Sequence, residues 1–219
     1  MSIKHAIIGE LRNAICKGEY QPGQRVTESE LARRFGVSRT PIREVLNQLE
    51  KEGFIHIVSN VGAEVAKLSL KDIADIHNIM GVLEGLASRL ATQELSSENL
   101  GKLEEYQFLM IKAAEATNIE LVFELNIEFH TLITEASRND YLINTRNTFR
   151  NLFRGFASTL AFVPRQWQLT IDAHRKIIDA FKARNAPLAE FITREHIETA
   201  KILHLEFLTN TITKDHKGS

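Results

Sequence analysis

The chain has 219 residues, enough for one large domain or two modest ones, and its 43% hydrophobic and 25% charged residues make an ordinary globular balance. A formal net charge of −1 argues against general, sequence-blind coating of nucleic acid. The single cysteine, Cys16, excludes an intrachain disulfide framework; no apolar run is long enough to span a membrane, and Gly9, Glu10 and Arg12 interrupt any signal-peptide core, so the expected location is the reducing cytoplasm.

With 4 prolines, 11 glycines and few strand-forming runs, the chain is expected to be mostly helical. Residues 3–17 read as an amphipathic helix with Ile3, Ile7, Ile8, Leu11 and Ile15 on one side and Cys16 as a small buried or half-buried residue. Gly18 and the Pro22–Gly23 turn end it. Thr27 and Glu30 stand at capping-box spacing at the start of a second helix, striped by Leu31 and Phe35 and ended by Gly36. Ser38 is placed to cap a third helix, and Pro41 falls in its first turn, where a missing N–H costs little. Ile42, Leu46 and Leu49 repeat at helical spacing and face a core, while Arg39, Arg43 and Asn47 recur every four residues on another face. Gly53 ends this helix, and residues 54–58 and 63–67 alternate as two strands around a turn of Ser59, Asn60, Val61 and Gly62.

Two short helices, a tight turn and a hairpin make a winged helix-turn-helix, whose second helix fits the major groove of duplex DNA. Arg39, Arg43 and Asn47 offer the guanidinium and amide forks suited to phosphates and purine edges. The bland alternative is a solvated basic face on a helix-turn-helix with no DNA role. Of Arg33 and Arg34 on the first helix of the pair, one is expected at a phosphate, and Arg33 is the candidate. Residues 1–66 carry nine Lys/Arg against eight Asp/Glu, so affinity must come from a local patch and a second copy of the chain.

The N-terminal domain is expected to cover residues 1–68. Ser69 begins a helix, with Asp72 at capping-box spacing. Helices are then expected at about 70–93, 97–116, 118–137, 140–162, 165–184 and 187–210. Ser97, Asn118 and Asn139 are the expected caps, Pro164 and Pro187 sit near helix starts, and the tail TKDHKGS is expected to fray. Residues 69–212 thus form an antiparallel all-helical bundle able to hold a pocket between its helices.

Asn126 and His130 are four residues apart and share one helix face. His174 and His196 each stand about eleven residues from the turn near Asn185 and Pro187, so an antiparallel hairpin brings them level. If the helix over 118–137 packs on the same side, three imidazoles and the Asn126 oxygen converge, a donor set that suits Zn²⁺, Ni²⁺ or Mn²⁺. The competing reading is three unrelated polar histidines, which is how His5, His56, His77, His204 and His216 are taken. Arg146, Arg150 and Arg154 make a stripe at spacing four. Arg150 is the candidate to meet an effector carboxylate, against a solvated or acid-paired stripe.

These residues together resemble a known family. VSRTPIREVLNQLEKEGFI (37–55), and more loosely VLEGLASRLA (82–91), NIEFHTLI (126–133), AHRKIIDAF (173–181) and the histidine of TREHIETA (193–200), are similar to GntR-type bacterial transcription regulators of the FadR group with an FCD effector domain. The resemblance implies operator contacts by Ser38, Arg39, Thr40 and Arg43, with Asn60 and Gly62 on the wing. It also puts Asn126, His130, His174 and His196 on metal-ligand positions. Three positions depart from the pattern: Asn126 replaces a common aspartate, Met80 a common arginine, and Val61 a wing arginine. A weaker metal site, one missing contact to an acidic effector or to the DNA domain, and weaker minor-groove reading are expected in turn.

The expected protein is a homodimeric, ligand-responsive regulator, a repressor, that binds double-stranded operator DNA. A small metabolite, a carboxylate held at a divalent transition metal ion, releases it. A metal-dependent hydrolase is the weaker alternative, because the chain has no general-base motif such as HExxH and no nucleophile motif. A purely structural metal site without an effector is the third reading.

Overall fold

The computed structural model describes residues 3–16, 19–58, 62–67, 69–160, 163 and 165–215, with the backbone alone at 16, 151–160 and 211–215. The expectations for Gly18, for Ser59, Asn60 and Val61 of the wing turn, for Pro164, for His216 and for the side chains of Cys16 and Arg154 lie outside the described residues. By its contacts the chain divides into two compact units, residues 1–69 with 150–159, and residues 70–149 with 160–219.

The first unit contains α1 (Ile3–Cys16), β1 (Arg25–Val26), α2 (Glu28–Phe35), α3 (Arg39–Lys51), β2 (Ile55–Val58) and β3 (Gly62–Val65). Its core joins Ile7, Ile8 and Leu11 of α1 to Leu31 of α2, to Ile42, Val45, Leu46 and Leu49 of α3, and to Ile55 and Val65 of the sheet. The capping box forms at the start of α2: the Thr27 hydroxyl accepts from the Glu30 N–H at 3.2 Å, and the Glu30 carboxylate accepts from the Thr27 N–H at 3.0 Å. Gly36 ends α2 in the left-handed conformation, φ 64°. The Arg12 guanidinium grips the Glu52 carboxylate with two bonds of 2.6 Å, tying α1 to the end of α3.

Two expectations fail here. The wing is a three-stranded sheet of order β1-β3-β2 rather than a hairpin, because Arg25 and Val26 pair with Glu64 and Ala63 of β3. A two-residue strand leaves no periodicity to detect. Ser38 has the extended backbone of a cap (φ −71°, ψ 168°), yet its side chain makes no cap bond. Pro41 is the third helical residue and has no N–H there for the serine to accept.

The second unit contains α4 (Leu70–Glu94), α5 (Ser97–Glu115), α6 (Ile119–Ala136), α7 (Asp140–Leu160), α8 (Gln166–Lys182) and α9 (Ala186–Asp215), with residues 150–159 of α7 grouped in the first unit. Helix α4 runs along α9, α5 packs on α6 and α8, and α6 also meets α4. Small residues let α4 and α9 approach closely. A Cβ on Gly85 would stand 2.6 Å from Cγ of Arg194, one on Gly81 would meet Ile197 at 3.8 Å, and the Ser88 and Thr193 hydroxyls bond at 2.8 Å. Between them, Phe129, Leu103, Ile133, Ile177, Ala87 and Phe181 fill the core. Asn118 and Asn139 cap α6 and α7 through their side-chain oxygens. The cap of α5 is Ser96 rather than Ser97, one residue earlier, and α9 continues to Asp215 where fraying was expected from residue 213. The unanticipated cap of α9 is Asn185, whose Oδ1 accepts from the Leu188 N–H at 3.1 Å.

Replacing Thr27 by Ala removes the capping box, and should lower stability by about 0.5–2 kcal/mol. Urea unfolding of the full chain reads this directly, and an unchanged midpoint would show that the box contributes nothing.

Candidate metal centre and DNA-binding face

Helix α3 carries the expected face. Ser38, Arg39, Thr40, Arg43 and Asn47 are all exposed, while Ile42, Val45, Leu46 and Leu49 are buried beneath them. Arg43 is not idle: it donates two bonds to the Glu28 carboxylate, at 2.8 and 3.0 Å, and holds that carboxyl below its usual range. The two arginines of α2 separate clearly. Both are exposed, but Arg34 donates to the Tyr20 hydroxyl at 2.8 Å and to Glu10 at 3.2 Å and lies over the Tyr20 and Phe35 rings. Gly62 opens β3 with φ 117°, and a Cβ there would stand 3.0 Å from the Val26 carbonyl oxygen, so the wing strand needs glycine at this point. Asn60 lies outside the described residues.

In the second unit His130 on α6, His174 on α8 and His196 on α9 come together. Nε2 of His130 lies 3.2 Å from Nε2 of His174 and 3.3 Å from Nε2 of His196. Ligands about 2.0 Å from a tetrahedral ion stand about 3.3 Å from each other, so these two spacings are those of ligands on one ion, and all three ligand atoms lie within 4.8 Å of one another. Phe129 stacks on the His174 ring, with centroids 3.8 Å apart, and fixes its plane. Burial, reinforced by the neighbouring His130, pushes the His174 imidazole well below its ordinary range and His196 down to about 3. Both are therefore neutral near pH 7 and keep a lone pair for a cation. The Asn126 Oδ1 and the His174 Nδ1 are sealed from solvent without a hydrogen bond among the described residues. An orphaned amide oxygen one turn before His130 is what a fourth donor would leave.

Behind His130 stand two residues that the sequence reading did not assign to the centre. Glu84 of α4 is 2% exposed and places Oε2 3.3 Å from His130 Nδ1, in contact though out of line for a good hydrogen bond. Arg146 of α7 donates from Nε to Glu84 Oε1 at 2.7 Å and is itself buried. Burial alone would raise the Glu84 carboxyl, but Arg146 and His130 outweigh it and hold the group at about 2. A carboxylate at Nδ1 keeps the ring hydrogen on that nitrogen and leaves Nε2 bare toward the cluster. The signal was present in VLEGLASRLA, where one carboxylate sits in an apolar row on a helix with buried neighbours on both sides. Arg146 is thus an acid-paired member of its stripe, and Arg150 is half-buried on α7.

His77 and His204 are satisfied polar residues rather than surface ones, and they correct the expectation that neither belongs to an arrangement. Both are buried, and His204 Nδ1 lies 3.1 Å from His77 Nε2 across the α4–α9 seam. Their spacing along different helices, 127 residues apart, hid the pair from any local pattern.

An exposed basic helix on a winged helix-turn-helix, joined in one chain to a helical bundle with a buried donor cluster, defines a DNA-binding transcription regulator. The chain belongs to the gntR family of bacterial regulatory proteins: residues 3–65 match that family and residues 75–199 match the FCD domain. It is 32% identical over 186 residues to the HTH-type transcriptional regulator YdhC of Bacillus subtilis, covering 83% of this chain and 81% of that protein. It is 29% identical over 188 residues to a probable D-xylose utilization operon transcriptional repressor of Paenarthrobacter nicotinovorans, covering 84% and 80%. The solved structure of E. coli McbR/YncC shares the fold with a TM-score of 0.79 at 22% identity, covering 94% of this chain and 99% of that one.

Replacing Arg146 by Met leaves the Glu84 charge buried without its partner and should cost about 3–5 kcal/mol in urea unfolding, while adding Glu84→Gln should recover most of the loss. Glu84 has a folded value near 2 against an ordinary value near 4.5, so its contribution is complete above about pH 4.5 and is lost as pH falls toward 2. Glu84→Gln should flatten the stability profile over that window, and a wild-type slope retained in the variant would assign the acid loss elsewhere.

Proposed function

We propose that this chain is a homodimeric, effector-released repressor, with residues 1–68 reading one operator half-site and residues 69–212 binding effector and partner. Arg39, Arg43 and Asn47 meet phosphates and base edges in the major groove, aided by Ser38 and Thr40 at the start of α3. Arg33 contributes a phosphate contact, and Asn60 and Gly62 approach the minor groove. Arg43 exchanges its Glu28 partner for DNA. Two copies are required because residues 1–66, with nine Lys/Arg against eight Asp/Glu, have almost no excess positive charge. Ile79 and Val82, exposed one turn apart on α4, leave apolar surface for a second copy. As a regulator of transcription the protein works in the cytoplasm.

The observation that carries the effector half of this reading is the convergence of three Nε2 atoms backed by Glu84. His130, His174 and His196 would hold one divalent ion, Zn²⁺, Ni²⁺ or Mn²⁺, with the Asn126 oxygen as a weak fourth donor. The ion supplies positive charge and open positions for a carboxylate effector. Arg150 is the further candidate for that carboxylate. Effector binding favours a dimer geometry whose recognition helices no longer match the half-site spacing, a coupling of about 1–3 kcal/mol.

Selection from a random duplex pool should return an inverted repeat. On that site Arg39→Ala and Arg43→Ala should each weaken binding on the order of tenfold or more with the fold intact. Light scattering should give twice the chain mass, and a monomer with and without the selected duplex would sink the mechanism.

Protein purified without a histidine tag and reloaded with Zn²⁺, Ni²⁺ or Mn²⁺ should retain one ion per chain by elemental analysis. A chelator should lower its melting temperature, because an ion bound to the folded state alone adds stability. His174→Ala should abolish that response, and Asn126→Asp should tighten the ion. No retained ion would refute the metal site.

A further inference from the structure

Outside the imidazole cluster a second buried polar chain crosses the α4–α9 seam. His77 Nδ1 lies 2.8 Å from the Ile73 carbonyl oxygen, and His77 Nε2 lies 3.1 Å from His204 Nδ1. His204 Nε2 then lies 3.1 Å from the outer end of the Gln166 side-chain amide. All three side chains belong to buried residues. Gln166 also lines a small cleft with His196, Thr170 and Thr199, with room for about one group the size of a water molecule. The chain therefore ends in a wall shared with one of the clustered imidazoles.

Proton counting fixes which way the Gln166 amide faces. A carbonyl only accepts, so His77 Nδ1 carries a hydrogen. Neutral His77 is then bare at Nε2, and His204 Nδ1 must supply the hydrogen of their contact. Neutral His204 is bare at Nε2 in turn, and only an N–H can face it. A carbonyl oxygen there would oppose two lone pairs unless the pair took up an extra proton. Burial of both rings works against that proton: it lowers His77, and with His77 alongside it pushes His204 down to about 3. The two ends of an amide have the same shape, so the partner decides between them. Hydrogen counting therefore assigns the NH₂ of Gln166 to His204 and the carbonyl oxygen to the other side. The amide atom on that side makes no hydrogen bond among the described residues and is not sealed from solvent.

We propose that Gln166 is the specificity-determining residue of this cleft: locked by the His77–His204 pair, it presents a carbonyl acceptor beside His196 and selects ligands with a hydrogen-bond donor, a hydroxyl or amino group, next to their carboxylate. The proposal rests on the effector reading above and adds the chemistry of the ligand's second group.

Full-length protein reloaded with Zn²⁺ is titrated calorimetrically with butanoate, 2-hydroxybutanoate and 2-oxobutanoate, which carry no second group, a donor and an acceptor. The hydroxy acid should bind roughly tenfold or more tighter than the oxo acid, because the oxo group sets acceptor against acceptor. Gln166→Met, close in volume, should bring the two within about twofold. His204→Phe should do the same with Gln166 still present, since the amide is then free to turn. A preference that survives both substitutions, or an oxo acid that binds wild type best, overturns the proposal. Nitrogen-15 spectra of histidine-labelled, ligand-free wild type read the tautomers independently, and both His77 and His204 should be neutral with the hydrogen on Nδ1. A hydrogen on His204 Nε2 overturns the proposal alone, even where an acid binds tightly. The expected tautomers with no binding of any of the three acids overturn it through the effector reading.

Discussion

The antiparallel seam between α4 and α9 closes because α4 carries Gly81, Gly85 and Ser88 where the two helices meet. Close approach fixes the register, and the register fixes nearly everything else in the second unit. His77 faces His204 at one end and Ser88 faces Thr193 toward the other. Glu84, one residue before the tightest contact, reaches His130 and Arg146, and His196 is carried on the facing helix. A bulky residue at Gly85 would first have to displace the Arg194 side chain and would then spread the helices that hold the donors.

The charge balance of the centre follows from the same arrangement. The buried carboxylate beside it, Glu84, is already paired with Arg146, and the candidate donors are three imidazoles, with His174 and His196 kept neutral by burial, and one amide. A divalent ion among them would keep nearly its full charge, with no ligand to cancel it. Such an ion would attract an anion more strongly than one held by an aspartate, and would itself be held less tightly.

Much of this was legible in the chain. The capping box at Thr27, the left-handed Gly36 and the levelling of His174 with His196 are local or nearly local patterns, and local patterns survive folding because they are set by spacing alone. What escaped depends on contacts between distant segments. The two-residue β1 exists only because β3 is beside it. The Glu84–Arg146 pair spans 62 residues and the His77–His204 pair 127, so neither leaves a trace in periodicity. Ser38 makes no side-chain cap bond where the sequence already removes one of the two N–H groups a cap accepts from, since Pro41 occupies the third helical position.

That failed cap has a consequence of its own. The first-turn N–H groups of a helix have no intrahelical acceptor, and at α3 the serine does not take them either. They lie at the positive end of the helix dipole, on the edge that carries the exposed Arg39 and Thr40. An anchoring point made of peptide groups is indifferent to which side chains surround it. On the DNA-binding reading such a point would hold a phosphate whatever side chains read the bases beside it, so the residues that choose the target could change without loss of the anchor.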